Sequence, residues 1–126
     1  MSTERVLFAF VIVLALTLNV GFVAGDLTDV RQHNVYELFA ALFVSLIATV
    51  MKFGDRSSLG STMLATSLVA DLQLIAAAVA WGIYSQPNTV LAADQMSTVV
   101  SLAIGAAVAN VISVVLLLVE IANLRR

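Results

Sequence analysis

The sequence predicts an all-α membrane protein folded as a four-helix up-down transmembrane bundle. Of its 126 residues, 61% are hydrophobic and only 11% are charged, whereas soluble domains are about 45–50% apolar and about 25% charged. Four apolar runs approach or exceed the length of about 20 helical residues that crosses a bilayer core. The positive charges outside these runs fall mostly on one side. A chain of this length forms a single domain, residues 1–126.

The apolar runs give four predicted spans. They cover residues 6–23, 35–51, 59–84 and 96–119. The first and last contain no charged residue, while Glu37 lies near the start of the second and Asp71 lies within the third. Because a charged group at bilayer depth is costly, these two carboxylates need cover from protein or water.

The connections between the spans contain residues that end and begin helices. A polar segment, residues 25–34, links the first two spans, and the Pro87–Asn88 pair stops the third. Gly54 is predicted to cap the C-terminus of the second helix. Asp55 or Ser57 is predicted to cap the N-terminus of the third.

Lys and Arg indicate the orientation, because cytoplasmic loops carry an excess of them. With both termini inside, only Arg31 lies outside. The cytoplasmic set is Arg5, Lys52, Arg56, Arg125 and Arg126. We therefore expect a multi-pass membrane protein with both termini in the cytoplasm.

The first run could instead be a cleaved secretory signal, since small residues follow it at 23–25. Its apolar stretch is longer than the 7–15 residues of such signals. The sequence therefore favours a retained first span.

The segment Thr49–Asp55 raises a second alternative, because its T-V-M-K-F-G-D resembles the T-V-G-Y-G-D selectivity filter of potassium channels with one extra residue. Such filters coordinate cations with backbone carbonyls. Lys52 would place an ammonium group at the mouth of that filter, and Met51 and Lys52 replace its first glycine. A cytoplasmic turn is the favoured interpretation.

Asp71 is the main candidate for a functional group, since ionisable residues within a membrane often bind or conduct ions. Helical spacing places it on a stripe of small and polar residues. The stripe contains Gly60, Ser67, Asp71, Ala78 and Gly82. Gln73 points to another face. On the second span a similar stripe contains Glu37, Ala41, Ser45 and Thr49.

Three roles for Asp71 stay open. It could be a protonated group that hydrogen-bonds structurally, a cation or proton site on a hydrated path, or a contact with another protein. As an ion site its predicted polar neighbours are Ser67, Asn110 and Asn19, with Gln73 and Glu37 as further members. A symmetric assembly with Asp71 at a wet axis would favour the ion site. A dry Asp71 hydrogen-bonded within one bundle would favour the structural role.

A ridge of small residues follows the fourth span at four-residue spacing. It consists of Ser97, Ser101, Gly105, Ala109 and Ser113. Such ridges let helices approach closely within lipid, and the partner could belong to the same chain or to another. We expect a homo-oligomer, because one small bundle has little interior in which to hide Asp71, Gln73, Asn19 and Asn110.

Several function classes are disfavoured. The chain has no cysteine and one histidine, so Asp26, Asp29 and His33 make a poor metal site and are predicted to form a solvated loop. The net charge of −2 disfavours a nucleic-acid partner. No nucleophile–base pair or phosphate-binding loop is recognisable in the sequence, so we expect neither an enzyme nor a cofactor.

The stretches FVSLIATVMKFGDRSS and LATSLVADLQLIAAA, between Phe43 and Ala78, resemble a family of uncharacterised small inner-membrane proteins of Gram-negative bacteria. The resemblance implies a bacterial inner membrane and carries no activity. Two functions follow as hypotheses. The first is an oligomeric channel or ion-coupled protein for monovalent cations or protons, with Asp71 as its site. The second is a non-catalytic accessory or scaffold subunit of a larger membrane complex.

Overall fold

The computed structural model describes residues 3–25, 33–55, 57–87 and 89–124. Its helices are α1 (Thr3–Val23), α2 (Val35–Lys52), α3 (Ser58–Tyr84) and α4 (Ala93–Leu124). Each is long and apolar enough to span a membrane, which confirms the four-helix prediction. The helices match the predicted spans closely, except that α1 begins earlier and α4 extends beyond its predicted span at both ends.

Local capping explains where the central helices begin and end. The Phe53 backbone caps the C-terminus of α2, and Gly54 follows it with φ of +90°, a conformation that glycine adopts without strain. Ser57 caps α3, because its hydroxyl accepts a hydrogen bond from the Gly60 N–H at 3.0 Å. Asp55 is not the cap of α3. Its carboxylate accepts hydrogen bonds from the Ser57 N–H and hydroxyl at 3.0 and 2.8 Å.

The potassium-filter geometry is absent from the segment that resembles such a filter. Thr49 to Lys52 form the last turn of α2, and the chain turns only at Phe53 and Gly54. The Val50 carbonyl accepts a hydrogen bond from the Phe53 N–H at 3.2 Å, and the Lys52 carbonyl accepts one from the Asp55 N–H at 3.3 Å, so these carbonyls serve the helix end and do not line a filter.

The helices form a closed ring in sequence order. Each helix packs against its neighbour in the chain, and α4 packs back against α1. The pairs α1/α3 and α2/α4 are therefore diagonal. We call the end that holds Thr3 and the α2–α3 turn the termini end, and the opposite end the connection end.

Two apolar clusters fill the interior. The cluster at the connection end includes Phe22, Leu38, Leu74, Met96 and Val99. The cluster at the termini end comprises Phe8, Ile12, Ala48, Met63 and Leu117. Where they meet lies a set of buried polar side chains, which we call the polar layer. Its members are Ser45, Thr49, Ser67, Asp71, Asn110 and Ser113.

The outward faces of the bundle are apolar. Phe43, Val50, Leu72 and Ile83 are each about two-thirds exposed, at 66%, 68%, 68% and 69%. Large apolar side chains on the outside, with hydroxyls and amides inside, suit a helical bundle surrounded by lipid.

Candidate functional site

Asp71 lies in the polar layer, where it links α3 to α2. It is only 5% exposed. The Ser45 hydroxyl donates to its Oδ1 at 2.7 Å, and the Thr49 hydroxyl lies 2.5 Å from its Oδ2. Residues four apart share one face of a helix, so Ser45 and Thr49 reach the two oxygens of one carboxyl group. Both oxygens are therefore satisfied within a single chain.

The hydroxyl of Thr49 gives this site two possible hydrogen-bonding arrangements. Thr49 Oγ1 lies 3.0 Å from the Ser45 carbonyl as well as next to Asp71 Oδ2, yet a hydroxyl has only one hydrogen. If Asp71 is ionised, Thr49 donates to it. If Asp71 is neutral, its own proton goes to Thr49 Oγ1, and Thr49 donates to the Ser45 carbonyl. The geometry accommodates both protonation states without moving a helix.

Asn19 was also predicted as a polar neighbour of Asp71, but its side chain hydrogen-bonds a different helix. Asn19 is fully buried on α1, which lies diagonally across the ring from α3. With its amide oriented to suit its surroundings, its nitrogen donates to the Ala103 carbonyl at 2.9 Å and its oxygen accepts from the Ala107 N–H at 3.1 Å. Asn19 therefore ties α1 to α4.

Ser67 and Asn110 were also predicted as polar neighbours of Asp71, and neither forms a hydrogen bond with it. Both side chains are buried, and the Ser67 hydroxyl and both polar atoms of the Asn110 amide have no hydrogen-bonding partner among the described residues. An unsatisfied buried polar group costs about 1–3 kcal/mol. These three atoms are the unpartnered part of the polar layer.

The register of α3 against α4 shows how close the unpartnered groups lie to Asp71 along the bundle axis. The hydroxyls of Thr66 and Ser113 are 2.5 Å apart, which places these residues at one level. With a rise of 1.5 Å per residue, Ser67, Asn110 and Asp71 lie about 1.5, 4.5 and 7.5 Å from that level, all toward the connection end. The unpartnered Asn110 amide is therefore at a depth between Ser67 and Asp71.

Gln73 and Glu37, the remaining predicted site members, pack against glycines on neighbouring helices. A Cβ atom at Gly105 of α4 would lie 3.1 Å from the Gln73 amide. A Cβ atom at Gly21 of α1 would lie 2.3 Å from the Glu37 carboxylate. Both polar side chains therefore pack against another helix of the same chain.

The small-residue ridge of α4 serves the contact with α3 for part of its length. Gly105 faces Gln73, and Ser113 contacts Thr66. Ser101, by contrast, is exposed and Ser97 is half-buried. A step of four residues turns about 400° in a helix, about 40° more than one full turn. The ridge therefore winds around α4, from the outside of the bundle into its interior.

Asp26, Asp29 and His33 were predicted to form a solvated loop, and for His33 this prediction is wrong. Asp26 and Asp29 lie outside the described residues. His33 is buried, and its Nδ1 donates to the Phe22 carbonyl at 2.6 Å. Carbonyls in the last turn of a helix lack a partner within the helix. His33 therefore closes the end of α1.

The chain was also compared with known proteins. Residues 32–121 match the model of a family described as a family of unknown function (DUF6394). The chain belongs to this family. The segment matched to DUF6394 contains α2, α3 and most of α4, and so includes the whole polar layer, while α1 with Asn19 precedes it. No curated protein and no solved structure matches the chain.

Proposed function

We propose that this protein is a non-catalytic accessory or scaffold subunit of a membrane complex, and that its intramembrane polar residues lock its own helices together. The observation that carries the proposal is the enclosure of Asp71, whose two oxygens are satisfied by Ser45 and Thr49 of the same chain. Asp71 is also only 5% exposed, so its carboxyl group is closed to bulk solvent.

A second observation supports the same proposal. Asn19 and Asn110 are fully buried, Asp71 is nearly so, and Gln73 is half-buried within one chain. The need to hide these groups therefore no longer requires a homo-oligomer. Exposed apolar side chains such as Leu72 would contact lipid or a partner. We propose a bacterial inner membrane, which the family resemblance implies, and both termini in the cytoplasm, which the distribution of Lys and Arg favours.

The competing candidate is a proton or cation site centred on Asp71. Two specific features favour it. The Thr49 hydroxyl can serve either protonation state of Asp71, and the Asn110 amide and Ser67 hydroxyl are polar groups without a hydrogen-bonding partner at nearby depths. A water molecule or ion near Asn110 would satisfy these groups and extend the polar layer.

Ion flux separates the two candidates. Purified protein would be reconstituted in liposomes, and K⁺, Na⁺ and H⁺ flux would be measured for wild type and Asp71→Asn at several pH values. We expect both proteins to give the flux of protein-free liposomes. Flux in the wild type that Asp71→Asn removes, with the bundle still folded, would overturn the scaffold proposal in favour of the ion site.

Crosslinking tests the accessory role directly. A photoreactive residue at exposed Leu72 should crosslink in native membranes to a different protein that copurifies in fixed stoichiometry. The same residue at buried Leu74, two positions along α3, is the control and should not do so. Crosslinks only between copies of this chain would replace the accessory role with a homo-oligomer.

A further inference from the structure

The termini end of the bundle contains a cleft lined by charged side chains. Its volume is about 580 Å³, within the range of about 300–1,000 Å³ that is usual for small-molecule sites. It lies between the ends of α1, α2 and α4 and the turn after α2. We call it the terminal cleft. Among the described residues, its charged lining consists of Glu4, Arg5, Lys52, Asp55 and Glu120.

The two described cations of the terminal cleft, Lys52 and Arg5, each contact neighbouring side chains. Lys52 is 8% exposed, and its Nζ lies 4.3 Å from the centre of the Phe8 ring and 3.6 Å from Asp55 Oδ2. The Arg5 Nε donates to Glu120 Oε1 at 3.0 Å. Hydrogen bonds from Ser57 lower the pKa of Asp55, so this carboxylate stays ionised beside Lys52. Ion pairing and ring contact restrict both long side chains before any ligand binds.

An apolar groove adjoins the terminal cleft on the outer face of α2. It has a volume of about 280 Å³, and Met51 lines both the groove and the cleft. The groove residues are Phe43, Leu46, Ile47, Val50 and Met51. From Phe43 to Met51 the helix rises by about 12 Å, so the groove runs from the charged end toward the middle of the membrane.

A charged cleft that continues into an apolar groove matches the two halves of a phospholipid. The described residues of the cleft supply three carboxylates and two cations, so the cleft offers partners of both signs. A zwitterionic headgroup with a primary ammonium matches both signs. Its phosphate fits Lys52 and Arg5, and its ammonium can donate hydrogen bonds to carboxylates such as Glu4 and Glu120.

We propose that the terminal cleft binds the headgroup of a phosphatidylethanolamine-type lipid and that the α2 groove holds one of its acyl chains. This site is separate from the polar layer. It makes no use of Asp71, so its test is independent of the flux and crosslinking experiments. The lipid would stabilise the arrangement of α1, α2 and α4 at the termini end.

The test is lipid binding to delipidated full-length protein in detergent, followed by native mass spectrometry. The lipids are dioleoyl phosphatidylethanolamine, phosphatidylcholine and phosphatidylglycerol. We expect phosphatidylethanolamine to bind at least tenfold more tightly than the other two. Equal affinity for the three lipids, or preference for phosphatidylglycerol, would overturn the proposal.

Variants locate the binding site on the protein. Lys52→Gln should lower phosphatidylethanolamine affinity at least tenfold, and Asp94→Asn, a charge change at the connection end, should leave it unchanged. Ile47→Trp should fill the groove and weaken binding, whereas Val108→Trp on the outer face of α4 should not. Because Ile47→Trp leaves the charged cleft intact, it keeps the test valid if Lys52→Gln fails to fold.

The water-soluble headgroup distinguishes the lipid from a free ligand. Glycerophosphoethanolamine at up to a hundredfold excess should displace little of the bound lipid, because it lacks the acyl chains that the groove would hold. If it competes as well as the lipid, or if Ile47→Trp and Val108→Trp behave alike, the groove plays no part and the proposed lipid site is wrong.

Discussion

The polar layer and the terminal cleft stabilise buried or partly buried carboxyl groups in different ways. In the polar layer, two hydroxyls of α2 satisfy the Asp71 carboxyl group, and the site is closed to solvent. In the terminal cleft, carboxylates pair with Arg5 and Lys52 along the wall of an open cavity. Deep in an apolar bundle, neutral donors cover a carboxyl group without bringing in a second charge. At the edge of the bundle, the side chains of Arg5 and Asp55 are 29% and 32% exposed, so part of the paired charge remains accessible to a ligand.

Removing both donors from Asp71 should have the largest effect. Ser45→Ala with Thr49→Val leaves a buried carboxyl group without its hydrogen bonds, at an expected cost of about 1–3 kcal/mol in the free energy of unfolding. Unfolding in mixed detergent micelles measures this loss. Thr17→Val is the matched control, because that hydroxyl is exposed and bonds the Leu14 carbonyl of its own helix. A similar loss in both would contradict the special role of the Asp71 contact.

Asp71→Asn should have a smaller effect than the loss of both hydroxyls. The new amide can accept from Ser45 and donate to Thr49, which then donates to the Ser45 carbonyl, as in neutral Asp71. Hydrogen bonds between membrane helices contribute about 0.6 kcal/mol on average, so we expect a change of about that size or less. Micelle unfolding is the measurement, with Asp71→Leu as the variant that cannot form these bonds. A loss as large for Asp71→Asn as for the double variant would show that the negative charge itself is required.

At the terminal cleft, breaking an ion pair should change stability less than breaking the polar layer. Glu120→Gln removes the charge opposite Arg5, and both side chains remain partly exposed. Exposed and partly exposed pairs contribute about 0–1 kcal/mol and are screened by salt. The loss should be about 0.5 kcal/mol or less at low salt and should shrink in 1 M NaCl. A loss that salt leaves unchanged would indicate that this pair is buried in the folded protein.

The smallest expected effect is a pH dependence from Asp55. Hydrogen bonds from Ser57, with a contribution from Lys52, lower its pKa below the ordinary value of 3.8. A carboxylate with a lowered pKa stabilises the fold above its unfolded pKa and loses that contribution as the pH falls through the folded value. Unfolding between about pH 6 and pH 2 should therefore show a decline below about pH 4 that Asp55→Asn reduces. Ser57→Ala should reduce it as well, and an unchanged decline in both variants would assign it to other groups.

The sequence was sufficient to predict the helices and the presence of polar residues inside them. Apolar runs located all four helices, and Gly54 and Ser57 lie at the predicted boundaries of α2 and α3. Asp71, Asn19 and Asn110 are buried, as their cost in lipid requires. These features depend on local composition and periodicity, which a single sequence contains.

The partners of Asp71 could not be predicted in the same way. Periodicity placed Ser45 and Thr49 on one face of α2, but it did not show which helix that face meets. Asn19 has a more polar side chain than Ser45 or Thr49. It nevertheless does not hydrogen-bond to Asp71, because α1 and α3 are diagonal in the ring. The order of helices around the ring and the rotation of each about its axis depend on packing across the whole bundle.

A double-mutant cycle between Thr49→Val and Asp71→Leu tests the link between α2 and α3 most directly. Unfolding in micelles gives the four free energies. If the two side chains stabilise the fold through their contact, the coupling energy should be about 0.5–2 kcal/mol. The control cycle between Asn19→Leu and Asp71→Leu should give no coupling beyond about 0.5 kcal/mol, because these residues bond different helices. Absence of coupling with Thr49, or equal coupling with Asn19, would contradict the proposed role of Asp71.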